Sequence, residues 1–323
     1  MLSKSHLIII DLLIVWAGIL LYLLFPFDQL RMSVNHEWYF NEHISWYIIL
    51  YLGVLYIPYS IWNIHAKDFV IDTRIGRLIF NKNDRKKELL IYLLKLFFIP
   101  SMLSLTIQNG IVMIEYLLLL FNTGQIEFSY IFSHNLYPLI IYTVLFLTTG
   151  LYTIGYIVES KLLNSEIKSI DTSFFGWLVT LVCYYPFYII ISNYLPMMTN
   201  DFNYFINDTF TIIVFVLLIP LHLFKFWCVI SLGWKCSNLT NRGIVRNGPY
   251  KWVRHPHYAV KLLIWWITFL PILMNDPIYI IGMLFWTLIY YLRAITEENH
   301  LMKDNDYIDY SQQVIFRFIP KLI

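Results

Sequence analysis

The chain is dominated by runs of about 20 apolar residues, the length that an α-helix needs to cross the hydrocarbon core of a membrane. Hydrophobic residues make up 59% of the 323 positions and charged residues only 14%, whereas soluble domains carry about 25% charged residues. We therefore expect an all-α fold, a polytopic transmembrane helical bundle. The runs predict about eight spans, near residues 7–27, 44–64, 89–108, 136–157, 174–194, 210–232, 257–275 and 277–296.

Two of the apolar runs need a closer look before they are counted as transmembrane helices. The first begins after Lys4, is long for the apolar part of a signal peptide and precedes no small-residue cleavage site, so we expect a retained helix. The run from Ile111 to Phe121 has only 11 residues and contains Glu115. That length favours an interfacial or re-entrant segment over a further span.

The distribution of basic residues predicts the orientation. If the N-terminus is cytoplasmic, only Arg31 falls in an outside loop, and Lys95, Lys225 and Lys261 fall within spans. The rest of the 23 lysines and arginines then lie on the cytoplasmic side, as the positive-inside rule requires. We therefore expect both the N- and the C-terminus in the cytoplasm. A ninth span would place the basic segment 235–254 outside.

Charge and cysteine content exclude other classes of function. A net charge of +2 gives no support for a nucleic-acid partner. Cys183, Cys228 and Cys236 form neither a paired framework nor a C-x-x-C motif, so neither a disulfide scaffold nor a zinc site is indicated, and we expect no metal. The chain shows no internal repeat. Its most specific polar residues gather after position 205, which suggests N-terminal helices of unassigned role in 1–205 and the chemistry in 206–323.

The most informative stretch reads Asn247-Gly-Pro-Tyr250, then Arg254-His255-Pro256-His257-Tyr258. Proline disfavours a helical conformation in the residue before it and suits the first position of a helix. A helix should therefore begin directly after His255, at the membrane surface. The amide groups at such a start bind anions, and Arg254 and His255 would complete an anion-binding lip there.

The predicted helix also carries a polar face into the membrane. Tyr258, Lys261 and Trp265 follow at spacings of three and four residues, which places them on one side. A lysine about one turn inside the apolar region marks a candidate functional site. We expect Lys261 and Trp265 to face a bound substrate.

The following span ends in Arg293-x-x-x-Glu297-Glu298. Only Asn275-Asp276 separates the two spans, so the helices should be antiparallel neighbours, with the two carboxylates beside Arg254 and His255 on the cytoplasmic side. The expected result is one pocket with an anion-binding lip and a cation-binding lip. A ligand with an α-amino group, an α-carboxylate and a sulfonium fits such a pocket, and S-adenosylmethionine has all three.

These motifs resemble those of the isoprenylcysteine carboxyl methyltransferase and phospholipid methyltransferase superfamily of integral membrane enzymes. The resemblance covers about residues 225–323 and includes the tail, with Asp306-Tyr307-Ile-Asp-Tyr310 and Phe318-Ile-Pro320. It implies a membrane methyltransferase that uses S-adenosylmethionine, with an active site open to the cytoplasm and a lipid or lipidated acceptor in the bilayer of the plasma membrane or endoplasmic reticulum.

The resemblance also implies roles for individual residues. His255, Tyr258 and Glu297 or Glu298 would hold the methionine end of the cofactor, within reach of Arg254. Pro249 and Tyr250 would border the rest of it. Arg293 and Glu297 would lie nearest the acceptor as the catalytic pair. If the acceptor is an amine rather than a carboxylate, Glu297 or Glu298 could take its proton.

Two other functions stay open at this point. A reductase of the related sterol-reductase fold would bind NADPH, although no additional basic cluster near the tail suits a 2′-phosphate. A non-enzymatic transporter would be expected to show inverted repeats with broken central helices, and none is visible.

Overall fold

The computed structural model describes residues 3–24, 44–65, 73–122, 127–160, 162–192, 195, 202–205 and 207–321, and these are mostly helical. The α-helices are α1 (Lys4–Leu24), α2 (Ile44–His65), α3 (Arg74–Phe80), α4 (Arg85–Asn122), α5 (Phe128–Ile131), α6 (Tyr137–Ile157), α7 (Phe174–Leu181), α8 (Phe187–Ser192), α9 (Asp208–Leu232), α10 (Pro256–Asn275), α11 (Ile280–Leu301) and α12 (Asn305–Gln313). A π-helical turn (Phe132–Leu136) joins α5 to α6, and 3₁₀ turns occupy Gly233–Lys235, Gly248–Lys251 and Pro277–Tyr279.

Five helical stretches of the described residues are long and apolar enough to cross a membrane: Arg85–Phe121, Phe128–Ile157, Asp208–Lys235, Pro256–Asn275 and Pro277–Leu301. The predicted helical class is confirmed. The helices α1 and α2 also lie where the first two spans were expected, although positions 25–27 lie outside the described residues. The count of eight spans and the cytoplasmic location of the termini stay predictions.

Two predictions about single segments are wrong. The run Ile111–Phe121 is not a separate re-entrant piece, because it continues α4 without a break, making a helix of 38 residues. The expected continuous span over 174–194 is interrupted between α7 and α8. Pro186 lies in the interruption and disfavours a helical conformation in the residue before it. Positions 193–194 lie outside the described residues.

The chain divides into two compact units, residues 1–104 and 105–323, and α4 runs through the division. The boundary expected near residue 205 separates helices of unassigned role from the segment expected to carry the chemistry, and it stays a prediction.

In the first unit a buried carboxylate connects three helices. Asp11 of α1 accepts hydrogen bonds from the hydroxyl groups of Tyr56 and Ser60 of α2 and of Tyr92 of α4, at 3.0, 2.5 and 2.5 Å. A carboxylate in an apolar interior is stable only when its oxygens are hydrogen-bonded. Three hydroxyl donors meet that requirement and fix the packing of these helices.

In the second unit α6, α9 and α10 share an apolar core that contains Tyr137, Phe215 and Ile264. A second core between α10 and α11 contains Phe269 and Trp286. The connection between these helices is short, and the Asp276 side chain closes the turn by accepting a hydrogen bond from the Ile278 amide at 3.1 Å. The prediction that α10 and α11 are neighbours is confirmed.

A small antiparallel sheet completes the second unit. Its strands, β1 (Ser169–Ile170) and β2 (Thr240–Asn241), pair Ser169 with Asn241 and Ile170 with Thr240. The sheet brings the segment before α7 to the segment that leads into α10. It thereby positions one wall of the site described next.

Candidate functional site

The start of α10 is built from the predicted turn and proline. Gly248 adopts a positive φ of 57° at the head of a 3₁₀ turn, a conformation that favours glycine. A Cβ at this position would also meet the Ser231 Oγ of α9. His255 has a non-helical φ of −123° and ψ of 56°, and Pro256 is the first helical residue. The predicted helix start is confirmed.

Glu298 of α11 is the centre of a buried ionic cluster. Its side chain is 3% exposed. Its carboxylate accepts hydrogen bonds from Arg254 Nε at 2.8 Å, from His255 Nε2 at 3.0 Å and from Arg317 Nε at 3.0 Å. One carboxylate therefore joins the start of α10, the end of α11 and the C-terminal tail.

Arg254 also holds the tail directly. Its Nη1 donates to the carbonyl oxygens of Val314 and Ile315, at 3.0 and 3.1 Å. The amides of Arg254 and His255 donate to the carbonyl oxygens of Phe316 and Arg317, at 2.9 and 2.8 Å. This geometry differs from the two opposed lips expected from the sequence, because Arg254 and His255 both hydrogen-bond to Glu298 instead of facing it across a pocket.

Glu297 behaves differently from its neighbour. It is exposed, and its Oε2 accepts a hydrogen bond from the Tyr258 hydroxyl at 2.9 Å. The ring of Tyr258 stacks in turn on the ring of His255, with centroids 5.5 Å apart. Residues from the two motifs thus meet at one end of the α10–α11 pair, as the sequence predicted.

A small open cleft, with a cavity volume of about 100 Å³, adjoins Glu297. It is lined by Leu232, Lys235, Ser237, Thr240, Asn241, Arg242, Gly243, Ile244, Val245, Tyr250, Arg254, His255, Glu297, Leu301, Tyr307 and Tyr310. Four of the predicted site residues, Tyr250, Arg254, His255 and Glu297, are therefore among its walls.

Tyr307, one of the residues that line the cleft, has a buried hydroxyl group that the described residues leave unsatisfied. Its side chain is only 3% exposed. Within the part of the chain that the structure describes, its hydroxyl has no hydrogen-bond partner. A buried hydroxyl without a partner is costly.

Comparison with known proteins bears on the helices that form this cleft. Residues 211–304 match the isoprenylcysteine carboxyl methyltransferase (ICMT) family. The expected resemblance is thereby confirmed, over a segment that includes α9, α10 and α11. We refer to residues 211–304 as the ICMT segment. Together with the apolar helices, the match supports a membrane methyltransferase.

A second comparison finds a short similarity to one curated protein. The chain is 38% identical over 50 residues to the uncharacterized protein YpbQ of Bacillus subtilis (strain 168), a stretch that covers 14% of this chain and 30% of that relative. The alignment thus spans less than a third of the relative. No solved structure matches the chain.

Within the ICMT segment, Arg293 lies beside the cleft rather than in its wall. It is buried, and its Nη2 donates to Asn238 Oδ1 at 2.9 Å. The guanidinium carbon lies 5.2 Å from the ring centroids of both Tyr258 and Tyr290. Among the residues that the structure describes, no ion pair joins Arg293 to Glu297, although they are one turn apart on α11.

The other residues predicted to contact substrate form an aromatic group next to Arg293. Lys261 Nζ donates to the Tyr290 hydroxyl at 2.5 Å and lies 4.7 Å from the ring centroids of Trp265 and Tyr290. The predicted shared face of Lys261 and Trp265 is confirmed by this contact. Pro249 is buried in the same 3₁₀ turn as Tyr250 and is not among the residues that line the cleft.

The sequence interpretation missed residues that position this group. Asn238 donates from Nδ2 to the Tyr184 hydroxyl at 2.8 Å, and its backbone amide donates to the Tyr156 hydroxyl at 2.9 Å. The Arg242 Nη1 donates to the carbonyl oxygens of Val158 and Ser165, at 2.8 and 3.0 Å. No motif could have identified these residues, because their partners lie more than 50 positions away in the sequence.

Burial keeps the tyrosine hydroxyls around the cleft and the nearby Cys236 thiol in their neutral forms. It raises the pKa of Tyr250, Tyr307 and Tyr310 above the ordinary value of 10, and the negative charges of Glu297 and Glu298 add to the effect at Tyr307. Burial also raises the pKa of Cys236 to about 12, so its thiol is a poor nucleophile. Nowhere in the described ranges do three or more His, Cys, Asp or Glu side chains form a metal-binding group.

Proposed function

We propose that this chain is an S-adenosylmethionine-dependent methyltransferase that acts on a lipid or lipidated acceptor in a membrane. The observation that carries the proposal is the cleft at the common end of α10 and α11, in the segment that matches the ICMT family. Its wall combines the exposed carboxylate of Glu297 with the side chains of Tyr250, His255 and Tyr307.

The lining of the cleft suits both ends of such a cofactor. Leu232, Ile244, Val245 and Leu301 offer apolar surface for a nucleoside. Glu297 offers a negative charge for an ammonium or sulfonium group. When bound, the cofactor would supply an electrophilic methyl group. We propose that Tyr250, His255 and Glu297 contact it directly, and that Arg254, Glu298 and Pro249 hold the wall in place.

Tyr258 links the cleft to the proposed acceptor side. Its hydroxyl donates to Glu297, while its ring lies against the guanidinium of Arg293. Methyl transfer is an in-line displacement that depends more on alignment than on acid–base help. A residue that contacts both Glu297 and Arg293 would fix that alignment.

Arg293 and Lys261 favour an acceptor with a negatively charged group near the transfer point. Both cations have aromatic and hydroxyl neighbours in an apolar region, where an anionic group would be strongly attracted. A carboxylate acceptor needs no base. A phospholipid amine would first lose a proton, and Glu297 is the carboxylate proposed to take it. In this proposal Arg293 orients the acceptor, with Trp265 beside it.

The location follows from the charge bias. Because the basic residues are predicted to face the cytoplasm, the cleft would open there, in the plasma membrane or the endoplasmic reticulum. Neither the NADPH-dependent reductase nor the transporter gains support from the family match.

Binding of radiolabelled S-adenosylmethionine to the purified full-length protein tests the proposal. We expect Glu297→Gln to weaken binding about tenfold, the effect of losing one charge-assisted contact. Glu166→Gln, a change of an exposed glutamate outside the cleft, is the matched control and should bind normally. If the wild-type protein does not bind S-adenosylmethionine, the proposal is wrong.

Mass spectrometry of membrane lipids and lipidated peptides after incubation with the cofactor identifies the acceptor. The expected result is a mass gain of one methyl group that depends on the active protein. NADPH serves as the comparison ligand in a thermal-shift assay, and stabilisation by NADPH alone would favour the reductase.

A further inference from the structure

Two lysine side chains converge at Gly243, in the wall of the cleft. A Cβ placed on Gly243 would lie 3.1 Å from Lys235 Nζ and 3.8 Å from Lys168 Nζ, so both ammonium groups lie within 4 Å of one point. Gly243 has a φ of 92°, which L-residues with side chains rarely adopt. The glycine thus supplies the backbone conformation, and its missing Cβ leaves room for the ends of the two lysine side chains.

The fold brings these lysines together from distant parts of the chain. Lys235 ends the 3₁₀ turn after α9, and Lys168 directly precedes β1. Lys168 donates its amide to the Asn241 carbonyl at 2.8 Å, which continues the β1–β2 pairing. The Asn241 side chain accepts from the Gly243 amide at 2.8 Å and fixes the turn beneath both ammonium groups.

The neighbouring charges leave Lys235 available. Lys168 lies 3.8 and 3.7 Å from carboxylate oxygens of Asp304 and Asp306, so its charge is partly balanced. Lys235 lines the cleft and forms no ion pair within the described ranges. By contrast, the side chains first expected to receive an anion, Arg254 and His255, are hydrogen-bonded to Glu298.

We infer that Lys235, supported by Lys168, binds the anionic group, a carboxylate or a phosphate, of the ligand that occupies this cleft. The inference rests on the proposed function where the anion is the carboxylate of the cofactor. A zwitterionic ligand would then place its positive charge toward Glu297 and its negative charge toward Lys235. The cleft would then recognise the positive group of the ligand at Glu297, its negative group at Lys235 and its apolar surface elsewhere.

The test measures ligand affinity by equilibrium binding to the full-length protein in nanodiscs of zwitterionic lipid. The ligands are S-adenosylhomocysteine, which has the amino-acid carboxylate, and 5′-methylthioadenosine, which lacks it. The variants are Lys235→Gln, the charge-preserving Lys235→Arg, and Lys251→Gln, an exposed lysine outside the cleft wall. Lys168→Gln serves as a second variant should Lys235→Gln fold poorly.

For S-adenosylhomocysteine we expect Lys235→Gln to lose about tenfold in affinity and Lys168→Gln to lose less. Lys235→Arg and Lys251→Gln should bind as the wild type does. Binding of 5′-methylthioadenosine should not change in any variant. Added salt should narrow the difference between wild type and Lys235→Gln, because salt screens charge interactions at an open site.

A second arm compares nanodiscs with and without phosphatidylglycerol, to detect a lipid phosphate as the source of the anion. Unchanged S-adenosylhomocysteine affinity in Lys235→Gln, together with lost binding of this lipid, would assign the anion to a lipid. If neither ligand depends on Lys235, the inference is wrong. A wild-type protein that binds no S-adenosylhomocysteine would instead refute the proposed function, and the lipid arm would still decide the role of Lys235.

Discussion

Glu298 and Arg254, 44 positions apart in the sequence, are joined by two hydrogen bonds of 2.8 and 3.3 Å. Both side chains are nearly inaccessible, with 3% and 8% of their surfaces exposed. The pair fixes the end of α11 against the start of α10. The same arginine binds the tail, so this pair helps to hold α10, α11 and the tail together at the wall of the cleft.

Replacing Glu298 should therefore destabilise the protein rather than only weaken a ligand. In Glu298→Gln, the buried Arg254 loses its counter-charge, and we expect the free energy of unfolding to fall by about 3 kcal/mol. Denaturant unfolding in detergent measures this quantity. Glu297→Gln is the matched control, since Glu297 is exposed and a glutamine oxygen still accepts from Tyr258. Equal loss of stability in both variants would contradict the structural role of Glu298.

Gly155 of α6 has no room for a side chain. A Cβ there would lie against the backbone carbonyl oxygen of Cys236, far closer than real contacts allow, so the loop before β2 would have to move. We expect Gly155→Ala to lower the free energy of unfolding by about 2 kcal/mol.

Gly150, on the same helix, provides the control for Gly155. Its Cβ would meet only Thr106 Cγ2, at an ordinary 3.8 Å. Gly150→Ala should be neutral or stabilising by up to about 1 kcal/mol, because alanine is the better helix former. Thermal unfolding of the two variants in one detergent gives the comparison. If Gly155→Ala is as stable as Gly150→Ala, the close packing of α6 on Cys236 is wrong.

Asn238 holds Arg293 in place. Asn238→Ala removes the hydrogen bond from Arg293 and the bond to the Tyr184 hydroxyl. We expect a loss of about 2 kcal/mol in the free energy of unfolding, because one of the bonds involves a buried charge. Tyr184→Phe removes only the second bond and should cost about 1 kcal/mol. A larger effect in Tyr184→Phe than in Asn238→Ala would show that Arg293 does not depend on Asn238.

Attachment of α12 should depend on pH through Asp304. The Asp304 carboxylate caps α12 by accepting from the Asp306 amide at 3.1 Å, and it accepts from Asn241 Nδ2 at 2.7 Å. Burial acts to raise the pKa of this carboxyl, but these hydrogen bonds and Lys168 outweigh burial and hold the pKa below the ordinary 3.8. A lowered pKa stabilises the folded state above the ordinary value, and this stabilisation is lost as the pH falls through the lowered value.

Hydrogen exchange of the α12 amides over a falling pH series measures the Asp304 effect. Asp304→Asn is the control, because asparagine caps a helix without titrating in this range. We expect the wild type to lose more protection than Asp304→Asn as the pH falls. Identical pH dependence of exchange in the two proteins would show that titration of Asp304 does not control the attachment of α12.

The sequence predicted helices well where apolar runs had the length of a span. The runs near 210–232, 257–275 and 277–296 became α9, α10 and α11 with small shifts at their ends. The hydropathy pattern gave wrong predictions where a change in side-chain polarity did not coincide with a break in the helical backbone. Polar residues at Gln108 and Asn109 interrupted the apolar run but not the helix, because the hydrogen bonds of α4 do not depend on side-chain polarity. The reverse occurred at 174–194, where an apolar run contains a helix break.

For the site, the sequence by itself determined where α10 starts, since proline fixes the backbone beside His255, and which chemical groups reach that end of the helix pair. It could not assign roles to Glu297 and Glu298, which are adjacent in the sequence but point about 100° apart around a helix. Packing made that choice. The start of α10 and the tail enclose Glu298 with two arginines and a histidine, while Glu297 stays exposed at the cleft. Likewise, only the strand pair β1–β2 could bring Lys168 next to Lys235, because local sequence does not encode contacts between distant segments.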